Sequence, residues 1–134
     1  FLDLYAGSGA VGLEAASRGA APVVLVERDA KAVRAVRDNV AAIGLPDIAV
    51  RADDVSRFLR EPATPYEVVF LDPPYADSVD DVLALLAGGG WLAPGATVVV
   101  ERDSRGAPPS WPPGIEADRS RRYGDSALWY GRRP

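Results

Sequence analysis

The sequence predicts an α/β fold, a doubly wound and mostly parallel sheet with a C-terminal antiparallel hairpin at one edge. Three observations point there. Apolar β-rich runs alternate with helical patterns through residues 1–101, the links between them are short, and Gly124-Asp125 separates two β-prone runs near the end. Short strand–helix links imply right-handed crossovers and parallel neighbours, whereas a glycine-containing pair between strands reads as a hairpin turn. The chain has 134 residues, 48% of them hydrophobic, enough for one compact domain over 1–134 and too few for two.

The elements follow in order. Residues 1–5 read as a buried strand, and 10–18 as a helix that Gly19 can close. Val23-Val24-Leu25-Val26 is the second strand. Asp29 can cap the next helix, where Val33, Val36, Val40 and Ile43 recur at steps of three and four until Gly44-Leu45-Pro46 stops it. Ile48-Ala49-Val50 is the third strand, and a short helix over about 55–60 leads to Glu67-Val68-Val69-Phe70-Leu71, a run typical of a parallel strand covered on both faces. Asp77 or Ser78 can cap a helix carrying Val79, Val82, Leu83, Leu85 and Leu86, which runs out at Gly88-Gly89-Gly90. Pro94-Gly95 reads as a turn, Thr97-Val98-Val99-Val100 as the fifth strand, 104–114 as a proline-rich loop, and 115–131 as two strands.

Composition closes several branches of chemistry. There is no cysteine and no histidine, so this chain offers no thiolate nucleophile, disulfide, thiol or imidazole zinc site or Ser-His-Asp relay, and no metal site is expected. Reactions must run on carboxylates, hydroxyls, arginines or backbone. No apolar run approaches the roughly 18 residues of a membrane span, and nothing resembles a signal peptide, so a cytoplasmic, membrane-free protein is expected. A monomer is the expected state. Phe1 is not an initiator methionine and begins within a strand, so the expectation is a fragment lacking an N-terminal extension. Residues 1–101 carry 8 basic and 15 acidic side chains, net −7, and residues 102–134 carry 7 and 4, net +3. The acidic balance argues against a purely electrostatic nucleic-acid binder, while the basic tail keeps nucleic acid open.

In this architecture ligands lie beyond the carboxyl ends of the strands where strand order reverses, which gathers the loops after the first four strands. The first holds Gly7, Gly9 and Gly12, opening a helix whose backbone N–H groups a ligand can approach. The same glycines also suit a tight turn with no ligand. A dinucleotide and S-adenosylmethionine are the two ligand readings. Asp3, before Gly7, suits a cationic methionine amino group and repels a pyrophosphate, or is a solvated strand-end acid. Glu27, ending the second strand, can accept from two ribose hydroxyls or cap the following helix with Asp29. Asp53 and Asp54 follow the third strand, where a carboxylate can accept from an adenine amine, with Asp54 preferred and helix capping as the competing role.

Asp72-Pro73-Pro74-Tyr75 follows the fourth strand. Two prolines fix the backbone and remove two donors, leaving the Asp72 carboxylate and the Pro73 carbonyl as rigid acceptors for an amine with two hydrogens. Held so, a base amine can turn its lone pair towards an electrophilic methyl. Tyr75 offers a flat face for a base lifted from its stack, or is a partly buried ring. Methylation at pyrimidine carbon 5 commonly needs a thiolate, so nitrogen is the expected acceptor.

Taken together, these motifs resemble class I S-adenosylmethionine-dependent methyltransferases with a Rossmann-like fold. Leu4-Tyr5-Ala6-Gly7-Ser8-Gly9, Gly12-Leu13-Glu14-Ala15, Ser17-Arg18-Gly19-Ala20, Val26-Glu27, Phe70 to Tyr75 and Tyr123-Gly124-Asp125 are similar to the bacterial 16S ribosomal RNA guanine-N2 methyltransferase family called RsmD. The resemblance implies a seven-stranded sheet and S-adenosyl-L-methionine as cofactor. It implies cofactor contacts from Asp3, Tyr5, Ala6, Gly7, Ser8 and Gly9, from Glu27 and Arg28, and from Asp53, Asp54 and Val55. The target guanine amine is implied at Asp72, Pro73, Pro74 and Tyr75, and the partner is small-subunit ribosomal RNA or the assembling subunit. Val55 stands where the family pattern usually has alanine and should slightly crowd the adenine edge. Arg102, Arg105, Arg119, Arg121 and Arg122 can supply phosphate contacts or be plain solvated charge. Two further readings stay open: methylation of another amine, such as adenine N6 or a protein glutamine, and a non-catalytic or NAD-binding Rossmann module.

Overall fold

The computed structural model describes residues 1–134. Its elements run β1 (Leu2–Leu4), α1 (Ala10–Ser17), β2 (Val23–Glu27), α2 (Ala30–Ile43), β3 (Ile48–Ala52), α3 (Val55–Phe58), β4 (Tyr66–Leu71), α4 (Val79–Gly88), β5 (Leu92–Asp103), β6 (Glu116–Tyr123) and β7 (Ser126–Arg132). The strands form one seven-stranded sheet in the order β3-β2-β1-β4-β5-β7-β6. β1 to β5 pair in parallel, and β7 lies antiparallel between β5 and β6. Strand order reverses between β1 and β4, so the carboxyl ends of these two strands flank the place where such sheets bind ligands.

Local chemistry accounts for most boundaries. Asp29 caps α2 by accepting from the Ala32 N–H at 2.9 Å, Val33 and Val36 are buried one turn apart, and Gly44 ends the helix at φ 65°. Asp54 caps α3 by accepting from the Arg57 N–H at 3.2 Å. α3 is shorter than expected because Arg60 and Glu61 donate to Arg57 and Phe58 in tight turns. The cap expected of Asp77 or Ser78 is not made: Ser78 precedes α4 without a side-chain bond, and Asp80 and Asp81 place negative charge in the first turn instead.

β5 departs furthest from expectation. Pro94-Gly95, expected as a turn, lies inside the strand, where Tyr66 pairs with Leu92 but Val68 pairs with Thr97. The irregularity stays in the sheet because its backbone finds partners: Gly95 N–H donates to Arg133 O and Arg133 N–H to Ala96 O, both at 2.9 Å.

The larger core lies on one face of the sheet, where Phe58 of α3 and Val82, Leu83 and Leu86 of α4 pack on Leu2, Leu4, Val69, Leu71, Val98 and Val100. On the other face Leu13 and Ala16 of α1 and Val36 of α2 pack on Val23 and Leu25. Trp91 anchors the larger core, donating its indole N–H to Leu59 O at 3.0 Å. No helix is long and apolar enough to cross a membrane.

Candidate active site

The loop from β1 to α1 is shaped by three glycines with different jobs. At Gly12 a Cβ would lie 2.2 Å from Leu25 Cδ2, so its smallness lets α1 sit against β2. At Gly9, with φ 84°, a Cβ would meet Val36 Cγ2 at 2.4 Å. Gly7, with φ 58°, has no atom within 4 Å of that position and faces open space. Asn39 of α2 steadies the loop by donating to Ser8 O at 3.0 Å. Tyr5, just before the loop, holds φ 62°, an uncommon conformation for a residue with a Cβ.

Glu27 locks that loop to the end of β2. Its Oε1 accepts from Gly7 N–H at 2.8 Å, and its Oε2 accepts from Arg28 N–H at 3.0 Å and Asp29 N–H at 2.9 Å. A carboxylate has about four acceptor positions, so three backbone donors leave room for a further hydroxyl. Asp3 is 1% exposed, and its Oδ2 accepts from Gly12 N–H at 3.0 Å. Burial pushes its carboxyl up to about 7, opposed by the Gly12 hydrogen bond and reinforced by the charges of Asp72 and Glu27.

Two adjoining cavities open at the carboxyl ends of the strands. The first, ≈ 140 Å³, is lined by Tyr5, Glu27, Arg28, Asp53, Asp54, Val55, Asp72 and Pro74. Here Arg28 and Asp54 approach to 3.5 Å, joining the end of β2 to the start of α3. Asp53 accepts from Asp54 N–H at 2.8 Å. Tyr5 stays a neutral phenol, pushed up to about 12 by burial and then by the charges of Asp77 and Asp54. The second cavity, ≈ 370 Å³, is lined by Asp72, Pro73, Pro74, Tyr75, Glu101, Arg102, Asp103 and Ser126. Asp72 and Pro74 belong to both. Tyr75 is 78% exposed, with the Arg102 guanidinium 5.9 Å from its ring centroid. Burial raises the Asp72 carboxyl, and Arg102 partly offsets this.

The structure therefore brings together most of the residues singled out from sequence. Tyr5, Glu27, Arg28, Asp53, Asp54 and Val55 meet at the first cavity, and Asp72 to Tyr75 at the second. Asp3, Ala6, Gly7, Ser8 and Gly9 do not line either one. Asp3 sits behind the loop, where its buried bond to Gly12 ties β1 to α1. The Pro73 carbonyl, expected to be free, accepts from Arg102 Nη1 at 3.0 Å, which leaves one of its two lone pairs. Sequence reasoning missed Glu101, Asp103 and Ser126, and read Arg102 as a phosphate contact or plain solvated charge, not as a neighbour of the Asp72–Tyr75 turn. A signal for Glu101 was there: Val98-Val99-Val100-Glu101 repeats the pattern of Val24-Leu25-Val26-Glu27, a strand ending on an acid.

A family model described as conserved hypothetical protein 95 matches residues 1–132. The chain belongs to this family. It is 35% identical over 127 residues to ribosomal RNA small subunit methyltransferase D of Escherichia coli (strain K12), covering 94% of this chain and 64% of that relative. The chain thus spans less than two thirds of that relative's length. A more distant relative, the tRNA (guanine(26)-N(2))-dimethyltransferase of Methanoregula boonei, is 36% identical over 73 residues, covering 54% of this chain and 19% of that protein. Among solved structures, a putative methyltransferase yhhF from Escherichia coli superposes with a TM-score of 0.91 at 34% identity, covering 98% of this chain and 74% of that one. Family membership and this superposition make the fold that of the class I methyltransferases.

Proposed function

We propose that this chain is the catalytic domain of an S-adenosylmethionine-dependent methyltransferase acting on the exocyclic N2 amine of a guanine in small-subunit ribosomal RNA. The observation that carries the reading is the sharing of Asp72 and Pro74 by the two cavities, which puts the amine-gripping turn between a nucleoside pocket and an open aromatic pocket. The names of the two relatives supply the RNA and the guanine N2 position. An RNA substrate of this kind also places the protein in the cytoplasm.

The residues present fit the cofactor. Gly7 leaves open space where a side chain would stand, and the Glu27 carboxylate, already aligned by three backbone donors, can take a ribose hydroxyl. Asp53 or Asp54 accepts from the adenine amine, and Val55 packs on its ring edge. Asp3 acts from behind, fixing the loop to α1. When bound, S-adenosylmethionine supplies an electrophilic methyl on its sulfonium.

The chain's own residues handle the amine. Asp72 accepts one N–H, and the remaining lone pair of the Pro73 carbonyl accepts the other. This turns the nitrogen lone pair, otherwise spread into the ring, towards the methyl. Tyr75 stacks on the base. With the cofactor bound, the methyl would exchange its bond to sulfur for one to nitrogen, leaving S-adenosylhomocysteine, and the nitrogen would release one proton, which Asp72 is placed to take; burial has already raised its proton affinity.

Calorimetry with S-adenosylhomocysteine and with NAD separates methyltransferase from dinucleotide module: the first ligand is expected to bind and the second not. Methyl transfer to small subunits, free rRNA, duplex DNA and protein, followed by mass mapping of the modified nucleosides, locates the product. Transfer to DNA or protein alone would overturn the substrate assignment.

A further inference from the structure

β4 and β5 run parallel with Leu71 beside Val100, so the next residues, Asp72 and Glu101, end neighbouring strands side by side. Val98 and Val100 are buried in the larger core, and alternation along the strand turns Glu101 to the opposite face, into the cavity it shares with Asp72. Neither carboxylate has a hydrogen-bond or ion-pair partner. The third acid there, Asp103, is differently placed: it accepts from Arg105 N–H at 2.8 Å, Nε at 3.1 Å and Nη2 at 3.1 Å.

We propose that Glu101 selects guanine, its carboxylate accepting the N1–H of the target base while Asp72 and the Pro73 carbonyl hold the N2 amine. The inference rests on the function proposed above and names the residue that decides the base. Guanine presents two adjacent donors, the N2 amine and N1–H, followed by the O6 acceptor. Adenine presents one amine beside an N1 lone pair. An amine-gripping turn alone serves both bases, but a second acceptor next to it complements only guanine, and against adenine it meets a lone pair with no hydrogen between. Arg102, in the same cavity, carries guanidinium donors that O6 can accept from. Burial, and then the Asp72 charge, raise the Glu101 carboxyl, a cost that a pair of base donors relieves.

The test uses the full-length protein and small subunits reconstituted on 16S rRNA ligated around a synthetic segment. The mapped target nucleotide is either guanosine or 2-aminopurine, which keeps the N2 amine but has a lone pair at N1. The wild-type protein is expected to prefer guanosine by roughly ten- to hundredfold in kcat/KM, the discrimination of one good base contact. Glu101→Gln, whose amide can donate to N1, is expected to bring the ratio near unity with S-adenosylhomocysteine affinity unchanged. An unchanged ratio in this variant overturns the proposal while leaving the proposed activity intact. If the wild type methylates neither nucleotide, the parent reading fails and this one with it. Should Glu101→Gln lose S-adenosylhomocysteine binding through misfolding, Glu101→Asp is read on the same ratio: a reduced preference supports the proposal and a retained one overturns it.

Discussion

A carboxylate at the end of a parallel strand does different work according to what surrounds it. Asp3 is closed in and bonded to a helix N-terminus, Glu27 is aligned by three backbone donors with one acceptor position left, and Asp72 stands open beside two prolines. Asp72→Ala is therefore expected to lower kcat by about 10²- to 10³-fold, the usual loss for one positioned polar group. S-adenosylhomocysteine affinity should hardly change; equal losses would show a binding residue instead. Tyr75→Ala should weaken RNA binding by about 1–3 kcal/mol, the value of one base–aromatic stack. Asp3 titrates against the fold. Its carboxyl lies at about 7 in the folded protein and near the ordinary aspartate value of 3.8 in the unfolded chain, so between these values the native state holds the extra proton and stability falls as pH rises. Asp3→Asn keeps an acceptor for Gly12 without the titration. Chemical denaturation from pH 4 to 7 should show wild-type stability falling relative to this variant by up to about 1.4 kcal/mol per pH unit. Parallel profiles would mean the carboxyl is not shifted.

At the scale of elements, the β1–α1 loop shows how one glycine pattern serves two ends. Gly12 allows close packing of α1 on Leu25, whereas Gly7 supplies a left-handed turn facing open space. Gly12→Ala is expected to cost about 1–3 kcal/mol of stability, as overpacking does. Gly7→Ala meets no atom but strains the backbone by about 1–2 kcal/mol and places a methyl on the free side of the loop. Denaturation and S-adenosylhomocysteine calorimetry on both variants should separate them, with affinity falling more for Gly7→Ala and stability more for Gly12→Ala if the packing cost is at the upper end of its range. The opposite ranking in affinity would remove the loop from the cofactor site.

Over the whole molecule, acidic groups gather at the carboxyl ends of the central strands and basic ones on the C-terminal hairpin. β6 is exposed at all eight positions, and its Arg119 lies over the Tyr130 ring at 4.6 Å while Arg121 donates to the Tyr123 hydroxyl at 3.2 Å. Charges on an edge strand also discourage pairing with another sheet. If they contact phosphate as well, replacing Arg119 and Arg121 by Gln should make the dependence of log affinity for rRNA on log salt shallower by up to about 2. Superimposable slopes would leave these arginines with edge protection alone.

Periodicity and turn chemistry made the doubly wound order, the α2 cap at Asp29 and the Gly124-Asp125 hairpin legible in the sequence, because each depends on residues close along the chain. Asp72 to Tyr75 was legible for the same reason, since two prolines fix their own backbone. Through-space relations were not. The passage of β5 across Pro94-Gly95 depends on Arg133, the burial of Asp3 on Gly12 and α1, and the occupation of the Pro73 carbonyl on Arg102. Chain order determined which residues stand at strand ends. Tertiary structure alone decided which of those ends share a cavity and which carboxylates keep free lone pairs, because hydrogen-bond partners and desolvation come from segments distant in sequence.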